Sequence, residues 1–283
     1  MTLFQGALLG VVQGLTEFLP ISSTAHLRIV PALLGWEDPG AAFTAVIQLG
    51  TLVAVLLYFW KDIVHISLSV VKSITTGNLV ADVDARLGWM IAVGTVPIVL
   101  FGLIFKDIIE TSLRSLYVIS ASMIALALLL IVAEFSLKRR LRNGIPLKSV
   151  ERLTWIDTIL VGFAQAVALI PGSSRSGTTI TGGLLIGLDR ETAARFSFLL
   201  SLPSVFAAGL FELIKEREAL LSIDIGLTSI ITATLVSGIV GYASIAFLLG
   251  YLKKHTMTLF IIYRLIVGVI LLVLLANGFL PAK

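Results

Sequence analysis

Six apolar runs recur along this 283-residue chain, at about 41–60, 87–106, 115–137, 196–214, 225–250 and 256–279. A helix needs about 20 apolar residues to cross roughly 30 Å of hydrocarbon, and within that layer only helices and closed barrels satisfy every backbone group. Runs of this length predict an all-α polytopic membrane protein, a single integral membrane domain over 1–283. Composition agrees: 13% of the residues are charged, against about 25% in a soluble domain, too few to cover a water-facing surface. The N-terminal "MTLFQGALLGVVQGLTEFLP" has no charged leader and no small-residue cleavage site, so it is not read as a removable signal peptide.

Two further apolar regions are broken. Residues 3–35 split at "FLPISST" into pieces of about 16 and 12 residues, and residues 155–188 split in the same way at "PGSSRSG". Pro20 and Pro171 stop helix continuation there. Each region is expected to be a re-entrant helical hairpin, which at membrane depth must be covered by protein or face a watery cavity. The expected architecture is thus six transmembrane helices plus two re-entrant hairpins.

The hairpins resemble each other. "GVVQGLTEFLPISST" (10–24) lies against "GFAQAVALIPGSSR" (162–175), pairing Gln13 with Gln165, Pro20 with Pro171, and Ser22-Ser23 with Ser173-Ser174. "FTAVIQLGTLVAVLLYF" (43–59) then lies against "FSFLLSLPSVFAAGLFE" (196–212). Halves of about 1–137 and 153–280, joined by a basic cytoplasmic linker 138–152, would each hold one hairpin and three crossings. Three is odd, so the halves form an inverted repeat, a known plan for sites near the membrane midplane. Lys61, Lys72, Arg86, the cluster from Lys138 to Arg152, Lys253 and Lys254 fall on one side, expected to be cytoplasmic. Arg28, Lys106, Arg114, Lys215, Arg217 and Lys283 fall on the other, with both termini outside.

The polar residues of the hairpins carry the chemistry. Arg175 at membrane depth costs about 2.5–3.5 kcal/mol on insertion scales unless an anion offsets it, and a guanidinium matches carboxylate or phosphate with two prongs. Gly172 and Gly177 let amides approach a ligand, and Ser173, Ser174, Ser176, Thr178 and Thr179 cap and open the following helix. A helix N-terminus of this kind is a phosphate cradle; the alternative is that Arg175 pairs with Glu17 and binds nothing. In the first hairpin Gln13 and Glu17 share a helix face, being four residues apart. Ser22, Ser23 and Thr24 follow the break, then His26 in the first turn, which makes a phosphoryl-transfer set. Three attackers remain open: Ser23 with His26 as base, His26 itself, or water activated by His26 or Glu17.

His65 and His255 lack such company and read as interfacial. No HxxH or HExxH occurs, so no dedicated zinc site is expected, although Glu17 with substrate phosphates suits magnesium. Arg264 in "IIYRLIVGV" pairs with Glu17, attracts an anion, or snorkels; Gly238 and Gly241 read as close helix packing. The chain lacks cysteine, excluding disulfides and a thiol nucleophile, and its +4 charge comes without a basic run interleaved with aromatics, so no nucleic acid partner is expected.

"QGLTEFLPISSTAH" resembles the [E/Q]xxxE element and serine-histidine turn of the undecaprenyl pyrophosphate phosphatases, also called bacitracin-resistance proteins. "PGSSRSGTT" matches the PGxSRSxxT signature of that family at every fixed position, and the resemblance covers nearly the whole chain. It implies an inner-membrane enzyme that removes the terminal phosphate of a C55 polyprenyl pyrophosphate, leaving the carrier used for cell-wall assembly and conferring bacitracin resistance. It implies site roles for Gln13, Glu17, Ser23, His26, Ser174, Arg175, Ser176 and Thr179, and a divalent cation, magnesium or calcium. Gln13 occupies the first [E/Q] position, leaving one of two carboxylates for metal. Expected partners are the polyprenyl lipid, membrane lipids and a second copy in a homodimer, with catalysis at the outer face. The rival reading is a transporter or flippase for an anionic lipid using the same site.

Overall fold

The computed structural model describes residues 1–80, 82–215 and 226–280; Arg217 and Lys283 lie outside the described residues. The first half of the chain forms α1 (Leu3–Phe18), α2 (Ser23–Leu34), α3 (Gly40–Tyr58), α4 (Trp60–Thr75), α5 (Val83–Ile104), α6 (Lys106–Glu110) and α7 (Leu116–Arg142). The second forms α8 (Trp155–Val167), α9 (Arg175–Ile186), α10 (Arg190–Lys215), α11 (Leu227–Leu252) and α12 (Thr258–Ala276). Among the described residues no strand forms.

Helices α5, α7, α10, α11 and α12 are each long and apolar enough to cross a membrane, and α3 with α4 makes a sixth candidate span if the bent pair counts as one. The chain is therefore a multi-pass helical membrane protein. The bend between α3 and α4 is 81° at the single residue Phe59. His65, read from the sequence as interfacial, lies on α4. That helix buries Ile66 and carries Lys61, Asp62 and Lys72, an amphipathic pattern that suits a helix lying along the membrane surface.

The expected breaks appear where the prolines stand: α1 and α2 hold 16 and 12 residues, and α8 and α9 hold 13 and 12. The expected linker starts later than residue 138, because Lys138–Arg142 continues α7 until Asn143 and Gly144. Basic side chains in a last turn complement the helix dipole, so nothing in that segment stops the helix. Lys148 then binds the linker back, with Nζ 2.8 Å from both Asp157 oxygens and its amide 2.8 Å from the Gly187 carbonyl.

Small residues set the closest helix contacts. A Cβ on Gly6, Gly10 or Gly14 of α1 would stand 2.5–2.8 Å from backbone or side-chain atoms of α11. Gly238 of α11 meets Gly50 of α3 in the same way, and Gly241 meets Phe18 and Thr51. Such stripes let backbones approach in lipid, where packing rather than water exclusion drives association. Away from the breaks, Arg190 grips Glu134 with Nε at 2.8 Å and Nη2 at 2.5 Å, while the Met257 amide donates to the same carboxylate at 2.9 Å. This buried pair ties α7, α10 and the entry to α12.

Candidate active site

Both breaks end in the same unusual cap. Ser22 (φ 78) and Ser174 (φ 70) are the described non-glycine residues with positive φ. Ser22 Oγ accepts the Ala25 amide at 3.3 Å and Ser174 Oγ accepts the Gly177 amide at 3.1 Å. Backbone in such regions costs on the order of 1–3 kcal/mol and persists where surrounding structure enforces it. The caps equate Ser22 with Ser174, not with Ser173 as the sequence pairing had it. The second turn has one more residue between its proline and its cap, which shifts the register.

The two turns meet at Glu17, buried at the end of α1. Its Oε2 accepts from Gln13 Nε2 at 2.8 Å and Ser23 Oγ at 2.6 Å, and its Oε1 accepts from Arg175 Nη2. One carboxylate thus holds a hydroxyl from the first turn and a guanidinium from the second. Ser176 Oγ lies 3.3 Å from the Glu17 carbonyl and 3.2 Å from that of Leu19, docking the start of α9 onto the end of α1.

Arg264 neither pairs with Glu17 nor snorkels. It is 1% exposed and donates Nη1 to the Pro20 carbonyl at 3.1 Å and Nη2 to the Gly172 carbonyl at 2.9 Å. Its Nε reaches Met123 O at 3.2 Å and Nη2 reaches Ser122 O at 3.4 Å. Broken helices leave carbonyls without intrahelical donors, and one planar fork supplies donors to both breaks at once. Ser122 Oγ adds a bond of 2.5 Å to the Pro171 carbonyl. Sequence reading missed this role because the acceptors come from three separate stretches of chain.

A cavity of about 480 Å³ opens over the junction. Glu17, Ser22, Ser23, Thr24, Ser174 and Arg175 form its floor; α3, α5 and α10 supply mostly apolar walls, among them Ala45, Ile98, Leu103, Val205 and Phe211. Lys106, Arg114, Arg28 and Glu212 also line it. Of the expected site residues, Gln13, His26, Ser173, Ser176, Thr178 and Thr179 do not line it. Thr178 and Thr179 bond the Arg175 carbonyl at 3.0 and 2.7 Å, and Thr179 also meets Ser197 Oγ at 2.5 Å. These hydroxyls steady the residue that reaches the cavity. Ser173 Oγ and Gln13 Oε1 are buried with no hydrogen-bond partner among the described residues.

His26 stands apart from the carboxylate. Its Nδ1 donates to the Ser22 carbonyl at 2.7 Å, which leaves Nε2 to accept from Tyr263 Oη at 2.6 Å, and the two rings stack. Of the three attackers left open, the one that needs Ser23 beside His26 finds Ser23 bonded to Glu17 instead. The reason is local: His26 sits one helical turn beyond Ser22, so its ring folds back onto the cap carbonyl.

Gly172 has φ 92 and a Cβ there would lie 2.5 Å from the Ile119 carbonyl. Gly172→Ala is expected to lose at least about 1–2 kcal/mol from the backbone conformation alone. A thermal unfolding midpoint in detergent equal to wild type would contradict this.

Residues 6–270 match the family described as Bacitracin resistance protein BacA. The chain is 63% identical over 282 residues to a protein of Chlorobium limicola, covering 100% of both chains. It is 63% identical over 278 residues to one of Chlorobium phaeovibrioides (98% of this chain, 99% of that one). A protein of Pelodictyon phaeoclathratiforme is 61% identical over 280 residues, with 99% of each chain covered. All three carry the name undecaprenyl-diphosphatase.

Proposed function

The chain belongs to the bacitracin resistance protein family, and on that premise we propose that it hydrolyses undecaprenyl diphosphate in the membrane to the monophosphate carrier and orthophosphate. The observation that carries the chemistry is the shared carboxylate: Ser23 and Arg175 both bind Glu17 on the floor of an apolar-walled cavity. A volume of about 480 Å³ suits a headgroup and the first part of a prenyl chain, within the roughly 300–1,000 Å³ of ligand pockets. The transporter reading gains no support, since the relatives are named as diphosphatases.

The assignment of roles follows from the contacts. A diphosphate entering the cavity competes with Glu17 for the Arg175 guanidinium and frees the carboxylate to act on Ser23. Ser23 Oγ attacks the terminal phosphorus and passes its proton to Glu17. The bond from phosphorus to the bridging oxygen breaks, and the lipid monophosphate departs as an anion needing no proton. Water then cleaves the phosphoserine, returning the proton and giving orthophosphate. Arg175 and the first amides of α9 hold the charge on the transferred group. His26 positions the Ser22 carbonyl, hence the turn that presents Ser23.

The residues do not fit a resident divalent cation. Among the described residues no group of three or more His, Cys, Asp or Glu gathers, and both Glu17 oxygens are already engaged. Magnesium or calcium would have to arrive with the diphosphate oxygens, and no step above runs through one.

The inverted repeat and the re-entrant course of the hairpins belong to the same reading. Exchanging α1 with α8, α3 with α10, α5 with α11 and α7 with α12 maps the main helix pairings onto each other: α1–α11 onto α8–α5, and α3–α11 onto α10–α5. Capping boxes open α1 at Thr2 and Gln5 and α8 at Thr154 and Asp157. These correspondences support halves of about 1–137 and 153–280. The cavity residues Arg114 and Ile119 flank the start of α7. Its 27 residues carry Arg139, Arg140 and Arg142 about 40 Å away. The basic end being cytoplasmic, the cavity opens to the outer face of the inner membrane.

The test is phosphate release from C55 polyprenyl diphosphate by purified protein in detergent, with EDTA and with added magnesium or calcium. Release is expected from wild type, and its loss in EDTA would mean that a cation enters with substrate. No release under any condition would overturn the reading.

A further inference from the structure

Two cations on the cavity wall have no part in the chemistry above. Arg114 Nη2 lies 2.8 Å from Asp38 Oδ2, and Arg28 Nε lies 3.5 Å from the same oxygen. Arg28 Nε is buried and has no hydrogen-bond acceptor among the described residues, so this N–H is left unsatisfied beside Asp38. Lys106 faces Glu212 at 3.8 Å. With Glu17 set against Arg175, the described side chains place four cations against three carboxylates on this wall and rim. The excess positive charge belongs to the arginine pair that shares Asp38.

The pair sits at the mouth rather than on the floor. Arg28 and Thr24 line the cavity from one face of α2, four residues apart. The Arg28 head reaches Asp38, which follows the C-terminal end of α2 at Leu34. The floor residue Ser23 begins the same helix, so floor and mouth are on the order of 10 Å apart along it. The pair thus stands further from the floor than Ser23 does, and the KM for the lipid diphosphate separates a part in holding substrate from a part after cleavage.

We propose that Arg28 and Arg114 form a second phosphate site, through which the orthophosphate released at the floor leaves the cavity. This rests on the hydrolase reading. Cleavage leaves an anion beside Arg175 in a largely apolar chamber, where a step toward water is favoured by a positive site at the exit. Asp38 keeps that site weak, as a path must let its ion go as well as take it. The guanidiniums offer fork donors that match phosphate, and Arg28 Nε offers one already lacking an acceptor.

The test uses the full chain in detergent, with Arg28→Gln, Arg114→Gln, the double variant and Asp38→Asn. Inhibition of turnover by added inorganic phosphate is expected to weaken about tenfold in the double variant, with KM for the lipid diphosphate and single-turnover cleavage within about twofold of wild type. Asp38→Asn is expected to tighten that inhibition severalfold, because it unmasks charge. A purely structural ion pair would shift both kinds of variant in the same direction, and that result would overturn the proposal. Unchanged inhibition would overturn it too, and a raised KM with unchanged inhibition would assign the pair to the incoming headgroup instead. Line broadening of inorganic phosphate in phosphorus NMR, measured on Arg175→Ala with and without the Arg28 and Arg114 changes, reads the site without turnover. Broadening that persists in the triple variant would overturn the proposal even if the hydrolase reading had failed, and its loss would support the site on its own.

Discussion

Arg175→Ala is expected to lower phosphate release by at least about a thousandfold, since arginines that stabilise phosphoryl transfer contribute about 10³–10⁵ in rate. The loss has two sources. The guanidinium is the cation in direct contact with Glu17 on the cavity floor, so the diphosphate loses its main counter-charge. Glu17 also remains buried without its partner, and breaking a buried pair from one side costs about 3–5 kcal/mol of stability. Arg175→Lys separates the two effects. It keeps a positive charge near Glu17 and is expected to fold, yet to stay about a hundredfold slow because an ammonium lacks the two-pronged geometry. Release by the alanine variant within tenfold of wild type, measured as initial rate on C55 diphosphate, would remove Arg175 from the mechanism.

Arg264→Lys is expected to lose about a hundredfold in kcat with a much smaller change in KM, although Arg264 does not line the cavity. Its fork spans carbonyls of Pro20, Gly172, Met123 and Ser122, and a single ammonium cannot reach acceptors lying in such different directions. Each carbonyl left without its donor in the protein interior costs about 1–3 kcal/mol, so Arg264→Ala is expected to unfold at markedly lower temperature. The lysine variant retains charge and bulk, and its defect should appear as misplacement of Ser23 relative to Arg175. A displacement near 1 Å is enough to cost about 10²-fold. A lysine variant with wild-type kcat would show that the two turns hold their relative position without the staple.

Much of the architecture was legible in the sequence because bilayer crossing depends on local quantities. Apolar length gave five of the six expected spans as single helices, and Pro20 and Pro171 gave the breaks to within a residue or two. The Phe59 bend escaped notice because the apolar run was read only to about residue 60, and the amphipathic α4 beyond it was not read as a helix. In the site, Glu17, Ser22, Ser23, Ser174 and Arg175 were found through their motifs and line the cavity. Ser176, Thr178 and Thr179, named by the same motifs, do not line it. A hydroxyl one turn into a helix can bond back to a carbonyl, as Thr178 and Thr179 do to Arg175 O, while Ser176 reaches across to the Glu17 and Leu19 carbonyls. His26 was read as base or attacker from its place one turn past the serines, whereas helix geometry turns its ring onto Ser22 O and Tyr263.

The sequence by itself determined that the chain lives in lipid, where the helices stop, and which residues could handle phosphate, because hydrophobic length, proline sterics and side-chain chemistry are properties of short stretches. Only the tertiary structure decided which of those residues meet. Glu17 and Arg175 are separated by more than half the chain, and Arg264 meets Pro20 and Gly172 from a third region. Those contacts exist because buried polar groups must find partners within the protein when no water is at hand, and the partners available are set by how the helices pack.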